Sequence, residues 1–465
     1  MEANTSQEPS KVPEIETDEF EDWFEEFTHL VRSGRDEEIV QQLSGSHYAD
    51  FAEVLHELEY DEAFYVFRLF QAERQSEVLV ELDEDYQSEF MERLQPKEIS
   101  TIFELLESDD ITFILASVSP SKAEEVLKIL DREDSQQIRV QMEFMENSAG
   151  RIMSSDFAAV YGTDTIRKAV SKIRKIAKVV DDIYTVYVVD QDGRLMGYLR
   201  LKELLLTNPS NKINKIMIGS PLSVHFNTDQ EEVARMFRKY DLVSIAVVDD
   251  KDVMIGRITV DDVLDIVQEE ASEDIYRMGG LSEDEKLNTP VFESLRKRIL
   301  WLVVNLATAV LAASVVSLFE ETIQKVVVLA TLMPIVAGMG GNAGTQSITV
   351  VVRNLATGEL TLNTWWEAVR KEISIGILNG LFLGILTSTM VYIFKGNLVL
   401  SFVIGSAMFV NLFIAGTIGS CIPLLLKILR IDPAIASSIF VTTFTDICGF
   451  FFFLGLAQYF LSYLN

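Results

Sequence analysis

"VTTFTDICGFFFFLG", residues 441–455, sets one carboxylate, Asp446, in the middle of an apolar stretch near the C-terminus. From Pro433 to Asn465 no other side chain carries a charge. On insertion scales an acid at the centre of a membrane helix costs about 2.5–3.5 kcal/mol. What offsets that cost has to be sought in the rest of the chain.

A membrane crossing needs about 20 mostly apolar residues. Five segments qualify: 299–318, 326–352, 373–394, 398–426 and 433–464. The second, fourth and fifth are long enough to tilt or break. Lys and Arg in short loops mark the cytoplasmic side. Arg296, Lys297 and Arg298 precede the first span, Arg353, Arg370 and Lys371 lie between the second and third, and Lys427 and Arg430 between the fourth and fifth. Glu320 and Glu321 lie between the first two with only Lys325 as a base, and Lys395 alone follows the third. The pattern predicts a multi-pass protein with its N-terminus in the cytoplasm and its C-terminus outside. The spans are dense in Gly, Ala, Ser and Thr, which lets membrane helices approach closely.

The formal charge of −31 on 465 residues falls almost wholly before residue 298 or so. That argues against nucleic acid or an anionic lipid surface as partner. "MEANTSQEPSKVPEIETDEF" is polar and acidic, with no apolar core of the secretory kind, so the first part is expected to stay in the cytoplasm. Cys421 and Cys448 both fall in apolar runs, which argues against a disulfide framework. The four histidines (His29, His47, His56, His225) all precede the membrane part, and no Cys/His cluster has zinc-like spacing. No nucleophile–base pair or phosphate loop is evident, so an enzyme is not expected.

After a tail (1–19) that reads as disordered, residues 20–150 carry apolar residues at helical spacing, interrupted every 10–15 residues. "FAEVLHEL", "DEAFYVFRLF" and "EISTIFELL" are typical, with Ser and Asp at the breaks suiting N-caps. This predicts a superhelix of short helices. Next comes an internal repeat. "DIYTVYVVDQDGRLMGYLRLKELL" (182–205) aligns with "DLVSIAVVDDKDVMIGRITVDDVL" (241–264) at an offset of 59 residues, with Gly197 and Gly256 in matching places. Each unit reads strand, acidic turn, strand, helix, and each follows a helical stretch. The tandem resembles a pair of α/β CBS domains, placed at 153–210 and 211–260. That resemblance implies adenine nucleotide as a candidate ligand: "GRITVDD" offers Thr259 and Asp262 where the family contacts a ribose, whereas the first copy has Arg200 and Glu203 there.

Residues 261–295 form the connection to the membrane part (296–465). Asp261, Asp262, Asp265, Glu269, Glu270, Glu273 and Asp274 crowd one helical stretch with no Lys to relieve them. Two readings stand here: a merely solvated linker helix, or a helix whose repulsion a cation relieves. Mg²⁺ suits carboxylates and water, usually with one or two carboxylates per ion.

For Asp446 three explanations compete: a buried basic partner, proton transfer, or a cation in a water-filled path. No other span holds a Lys or Arg near its centre, and the sequence offers no intramembrane acid or histidine to relay protons, so the third is favoured. Ser438, Thr442 and Thr443 precede Asp446 at helical spacing and Gly449 follows it. The second span holds "PIVAGMGGNAGTQS" (334–347), with Asn342 and Gln346 one turn apart among four glycines.

Together "GNAGTQS", the following "RNLATGEL", and "DPAIASSIFVTTFTDICGF" in the last span resemble the MgtE family of magnesium transporters and channels, and the domain order is similar too. The resemblance implies a homodimer in the cell (inner) membrane with a pore on its twofold axis, lined by the second and fifth spans. It implies Mg²⁺ as both substrate and regulator, with Asp446, Asn342, Gln346 and Thr442 lining the pore. Regulatory ligands implied are Glu77 and Asp109 in the helical domain and Asp229, Glu231 and Asp241 in the second CBS unit. On the connecting ("plug") helix they are Asp262, Asp265, Glu270, Glu273 and Asp274. Phe113 stands where a further acid is expected, and Arg238 places a base beside the CBS ligands. The expected mechanism is Mg²⁺ influx closed by cytosolic Mg²⁺ bound among these acids. Two rivals remain: a divalent carrier driven by H⁺ or Na⁺, and a nucleotide-sensing membrane receptor.

Overall fold

The structure, a computed structural model, describes residues 12–13, 18–177, 180, 183–282, 285, 289–361, 364–435 and 437–464. Most of the N-terminal tail, Asp182 of the first repeat and part of the linker before the membrane helices therefore lie outside the described residues. The chain divides into two compact units, 1–264 and 265–465.

The first unit opens with short helices: α1 (Asp18–Ser33), α2 (Asp36–Leu43), α3 (Tyr48–His56), α4 (Tyr60–Arg68), α5 (Ala72–Glu81), α6 (Glu84–Arg93), α7 (Pro96–Phe103), α8 (Ser108–Ser117), α9 (Pro120–Leu127) and α10 (Arg132–Glu143). Their starts are set by local chemistry. Asp83 accepts from the Tyr86 amide at 3.0 Å, Gln95 and Glu98 form a capping box ahead of α7, and Pro96 and Pro120 occupy first helical positions. From α3 onward each helix packs on the one two places further on: α3 on α5, α5 on α7, α7 on α9, and in a second row α4 on α6, α6 on α8, α8 on α10. Phe27, Phe51, Phe67 and Phe90 are fully buried in the one hydrophobic core these helices share.

Next come α11 (Ala149–Ile152), β1 (Ala159–Tyr161), α12 (Ile166–Ile176), β2 (Thr185–Val189), β3 (Leu195–Arg200), α13 (Leu201–Leu206), β4 (Ile218–Gly219), β5 (Ser223–His225), α14 (Gln230–Tyr240), β6 (Ser244–Val248) and β7 (Met254–Thr259). They form a four-stranded sheet, β1-β2-β3-β4, and a three-stranded one, β5-β6-β7. The 59-residue repeat persists in fine detail. β2–β3 and β6–β7 are antiparallel pairs with the same irregularity, at Val188/Val189 and Val247/Val248. Gly197 and Gly256 occupy equivalent registers, and a Cβ at either would meet a heavy atom at 2.6 or 2.5 Å. The repeats clasp through their turns, where Leu195 donates to the Asp252 carbonyl at 3.1 Å and Met254 to that of Gly193 at 3.0 Å. Helix α15 (Val260–Met278) runs through the division between the units.

In the second unit lie α16 (Val291–Ser317), α17 (Glu320–Lys325), α18 (Val328–Ala356), α19 (Trp365–Lys395), α20 (Leu398–Ile428), α21 (Ser437–Tyr459) and α22 (Leu461–Leu464). Five of these, α16 and α18 to α21, are long and apolar enough to cross a membrane. Helices α16 and α19 begin eight residues before the apolar segments at 299 and 373, because charged residues continue a helix beyond the hydrocarbon layer; Lys297 pairs with Glu293 at 3.2 Å on such an extension. The last apolar segment, 433–464, is shorter as a helix. Asp432 accepts from the Ala434 amide at 2.8 Å in a turn, and α21 ends at Tyr459 ahead of the separate short α22.

Candidate ion path and acidic clusters

Helices α18 and α21 meet along small residues. A Cβ on Gly341 would lie 3.7 Å from the Thr442 methyl, and one on Gly344 only 2.4 Å from Val441. Helix α20 closes in from another side, since a Cβ on Gly419 would lie 2.9 Å from the Gly344 carbonyl oxygen. Close backbone approach of this kind is how helices gain dispersion contacts in lipid.

Asp446 is half-buried on α21 and makes no hydrogen bond or ion pair among the described residues. One turn earlier Thr442 donates its hydroxyl to the Ser438 carbonyl at 2.9 Å, and Thr443 donates to that of Ile439 at 2.6 Å. Each hydroxyl proton is thereby committed to the helix, and the oxygen is left to accept, as a hydrated cation requires. On α18, Asn342 and Gln346 are exposed, and so are Thr345 and Thr349. These four residues stand at i, i+3, i+4 and i+7 and form one polar face. The two threonines escape a reading that looks for amides alone, although their spacing could have revealed them.

Two further polar residues of the bundle were not anticipated. Glu372, assigned by its neighbours Arg370 and Lys371 to a connecting loop, is 5% exposed inside α19 and accepts from Ser347 Oγ at 2.8 Å. It stands one residue before the apolar segment that begins at 373, so what the structure corrects is its placement in a loop: it is a buried residue of a long helix. Asn411 is wholly buried at mid-helix in α20. Its signal in the sequence is a single amide in an apolar run.

In the first unit, acids gather where α8 meets the start of α15. One Asp109 carboxylate oxygen is buried with no hydrogen-bond partner among the described residues. Burial and the neighbouring Asp110, Asp262 and Glu107 hold the Asp109 carboxyl well above the usual carboxylate range. Burial together with Asp262 and Glu107 pushes Asp110 up to about 7. Burial and Asp261 push Asp262 up to about 6, against the pull of Thr259. Asp262 accepts from the Thr259 amide at 3.1 Å and from its hydroxyl, so the two candidate nucleotide contacts are engaged with each other. Around the cluster Ser155 donates its amide to Ser108 Oγ at 2.7 Å, and the Ser108 amide donates to Asp156 at 3.1 Å. Phe113, on the same helix, is exposed.

The other expected ligands are spread out. Glu77 is exposed on α5 and pairs with Arg74 at 3.7 Å. Asp229 caps α14, accepting from the Glu231 amide at 2.9 Å, whereas Asp241 ends that helix in a left-handed conformation (φ 50°). The length of α14 separates them by about 18 Å, so one ion in this chain does not reach both ends. Asp265 is exposed on α15. Further along, Arg277 pairs with Glu273 and with Asp432 of the turn before α21. Burial, Asp432 and Glu270 push Asp274 up to about 6. Ser438 donates to the Met278 carbonyl at 3.2 Å, which ties this end of α15 to the start of α21. Asp432 is a candidate that sequence reading missed, because its acidic neighbours lie about 160 residues away. Among the described residues no three His, Cys, Asp or Glu side chains gather closely enough to hold a metal ion.

Comparison with known proteins matches residues 333–456 to the family model "Divalent cation transporter" (MgtE), 46–147 to "MgtE intracellular N domain", and 149–207 and 213–269 to the CBS domain. The magnesium transporter MgtE of Bacillus subtilis is 30% identical over 438 residues, covering 92% of this chain and 97% of that protein. That of Thermus thermophilus is 32% identical over 434 residues, covering 92% and 96%. The crystal structure of the cytosolic domain of the Mg²⁺ channel MgtE in complex with ATP is similar at 30% identity and a TM-score of 0.50, covering 52% of this chain and 99% of that one.

Proposed function

The chain belongs to the MgtE family of divalent cation transporters, and on that premise we propose that it carries Mg²⁺ into the cytoplasm across the cell (inner) membrane. One observation carries the reading. The face Asn342, Thr345, Gln346 and Thr349 is exposed on a span-length helix packed against the helix that bears Asp446. Lipid cannot satisfy such a face, so it takes water or a second subunit. In a homodimer two Asp446 carboxylates facing one another repel, and a hydrated Mg²⁺ relieves them. Mg²⁺ gives up its water reluctantly, so these oxygens act on a largely hydrated ion. A monovalent ion lacks the charge to hold the pair. An inside-negative potential of 100 mV favours entry of a divalent ion by about 4.6 kcal/mol.

The acidic clusters supply the control. Cytosolic Mg²⁺, keeping most of its water and taken up by one or two carboxylates at a time among Asp109, Asp110 and Asp262 and among Glu270, Glu273, Asp274 and Asp432, relieves repulsion and favours the closed arrangement. When Mg²⁺ falls, the repulsion opens the path. Many weak sites together supply the few kcal/mol that a two-state gate needs. ATP at the CBS pair is a second regulator, supported by the relative crystallised with it.

Mg²⁺ flux into proteoliposomes, beside complementation of a magnesium-requiring bacterial strain, tests the reading. Asp446→Asn is expected to lower flux at least about tenfold and to abolish complementation. Flux at the original rate would reject the path.

A further inference from the structure

Asn411 is wholly buried at the middle of α20, and its carboxamide reaches both helices of the candidate path at once. Its Nδ2 donates to the Val336 carbonyl of α18 at 2.8 Å. A Cβ added to Gly340 of α18 would lie 2.2 Å from that nitrogen, and one added to Gly449 of α21 would lie 2.9 Å from it. One flat amide is therefore sandwiched between two backbones. Gly340 stands two residues before Asn342, and Gly449 one turn after Asp446.

For packing alone Asn is a poor choice here. Its Oδ1 is buried with no partner among the described residues, a penalty that an apolar side chain of the same volume would not carry. Interhelical hydrogen bonds in membranes are worth little on average, so the Val336 contact does not by itself account for the amide. What the carboxamide supplies is thickness and orientation: it is planar, and the carbonyl it holds fixes which edge faces α18. The two glycines are its counterpart, since any Cβ at either position would displace it.

The geometry points to Asn411 as a positioning residue of the ion path, a spacer that sets the separation of α18 and α21 and so the distance at which Asn342 and Asp446 act on the ion. Asn411 touches no ion; it acts through the two helices. The inference rests on the proposed path and adds the residue that sets its width.

Purified full-length protein in proteoliposomes tests it, with Mg²⁺ flux and Na⁺ flux measured side by side for Asn411→Ala, Gly340→Ala, the double variant and Asp446→Asn. Asn411→Ala is expected to hold Mg²⁺ flux within about threefold while the Mg²⁺-over-Na⁺ ratio falls about tenfold, a change that lost stability alone does not produce. Gly340→Ala is expected to lower flux about tenfold, and the double variant to recover to within about threefold of Asn411→Ala, because removing the amide vacates the space that the new methyl needs. Should Gly340→Ala fail to elute as a single species, recovery of a single species in the double variant is the reading. Should Asn411→Ala fail likewise, Asn411→Ser replaces it. An unchanged ion ratio in the Asn411 variant, or a double variant no better than Gly340→Ala, overturns the inference. If either result accompanies loss of flux in Asp446→Asn, the path stands and only the spacer role falls; full flux in Asp446→Asn removes the path itself.

Discussion

Arg257 of β7 donates from Nη2 to both carboxylate oxygens of Glu107, at 2.7 and 2.8 Å, across 150 residues of chain. Its Nε donates to the Asp156 carbonyl at 2.9 Å, and the guanidinium is 5% exposed. Helix α8 is thereby fastened to the second CBS sheet beside the acidic cluster.

Removing one partner of a pair this buried leaves the other charged and unmatched. Arg257→Ala should cost about 3 kcal/mol, read as a lower denaturation midpoint and faster proteolysis of residues 18–143 in saturating Mg²⁺. Replacing both partners, Glu107→Leu with Arg257→Met, should recover most of the loss.

The cluster itself titrates in an accessible range. Asp110 at about 7 and Asp262 at about 6 lie above their ordinary value of 3.8, so between that value and about pH 7 the folded protein binds more protons than the unfolded chain. Stability therefore falls as pH rises through this window. In EDTA, lowering the pH from about 8 to about 5.5 should slow proteolysis. Mg²⁺ needs the bare carboxylates, so its added protection should be largest at about pH 8 and fade toward about pH 5.5. The opposite trend would remove this cluster from the gate.

Arg277 already neutralises part of the second cluster. Arg277→Ala leaves Glu273 and Asp432 without their cation, and closure should then need roughly fivefold more Mg²⁺, equivalent to about 1 kcal/mol. Hydrogen exchange of residues 265–278 as a function of Mg²⁺ measures the shift directly.

Glu372 and Ser347 join α19 to α18 in the bundle core. Glu372→Gln keeps an acceptor oxygen and should cost less than about 1 kcal/mol, whereas Glu372→Ala strands the Ser347 hydroxyl and should cost about 1–3 kcal/mol. Thermal unfolding in detergent separates them; equal losses would mean that charge, not the hydrogen bond, holds the pair.

Much of the architecture was legible beforehand. The five apolar runs and the repeat of 59 residues rest on local periodicity, and the structure repeats even the strand irregularity at Val188 and Val247. The candidate path was legible for a related reason: Asp446 is conspicuous against its neighbours, and Asn342 and Gln346 share a helical face wherever that helix packs. Glu372 was misassigned because Arg370 and Lys371 sit beside it, and charge in a window of sequence cannot tell a loop from the buried start of a long helix.

The order of residues determined the classes of element, the number of apolar runs long enough to span, and the single carboxylate of the last of them, since each is written within one or two turns of chain. Only the folded arrangement decided that Arg257 answers Glu107, that Arg277 reaches Asp432, and that Asn411 lies between Gly340 and Gly449. Those pairings join residues tens to hundreds of positions apart. They are selected by which helix faces and strand edges come together in space, and no periodicity along the chain encodes that choice.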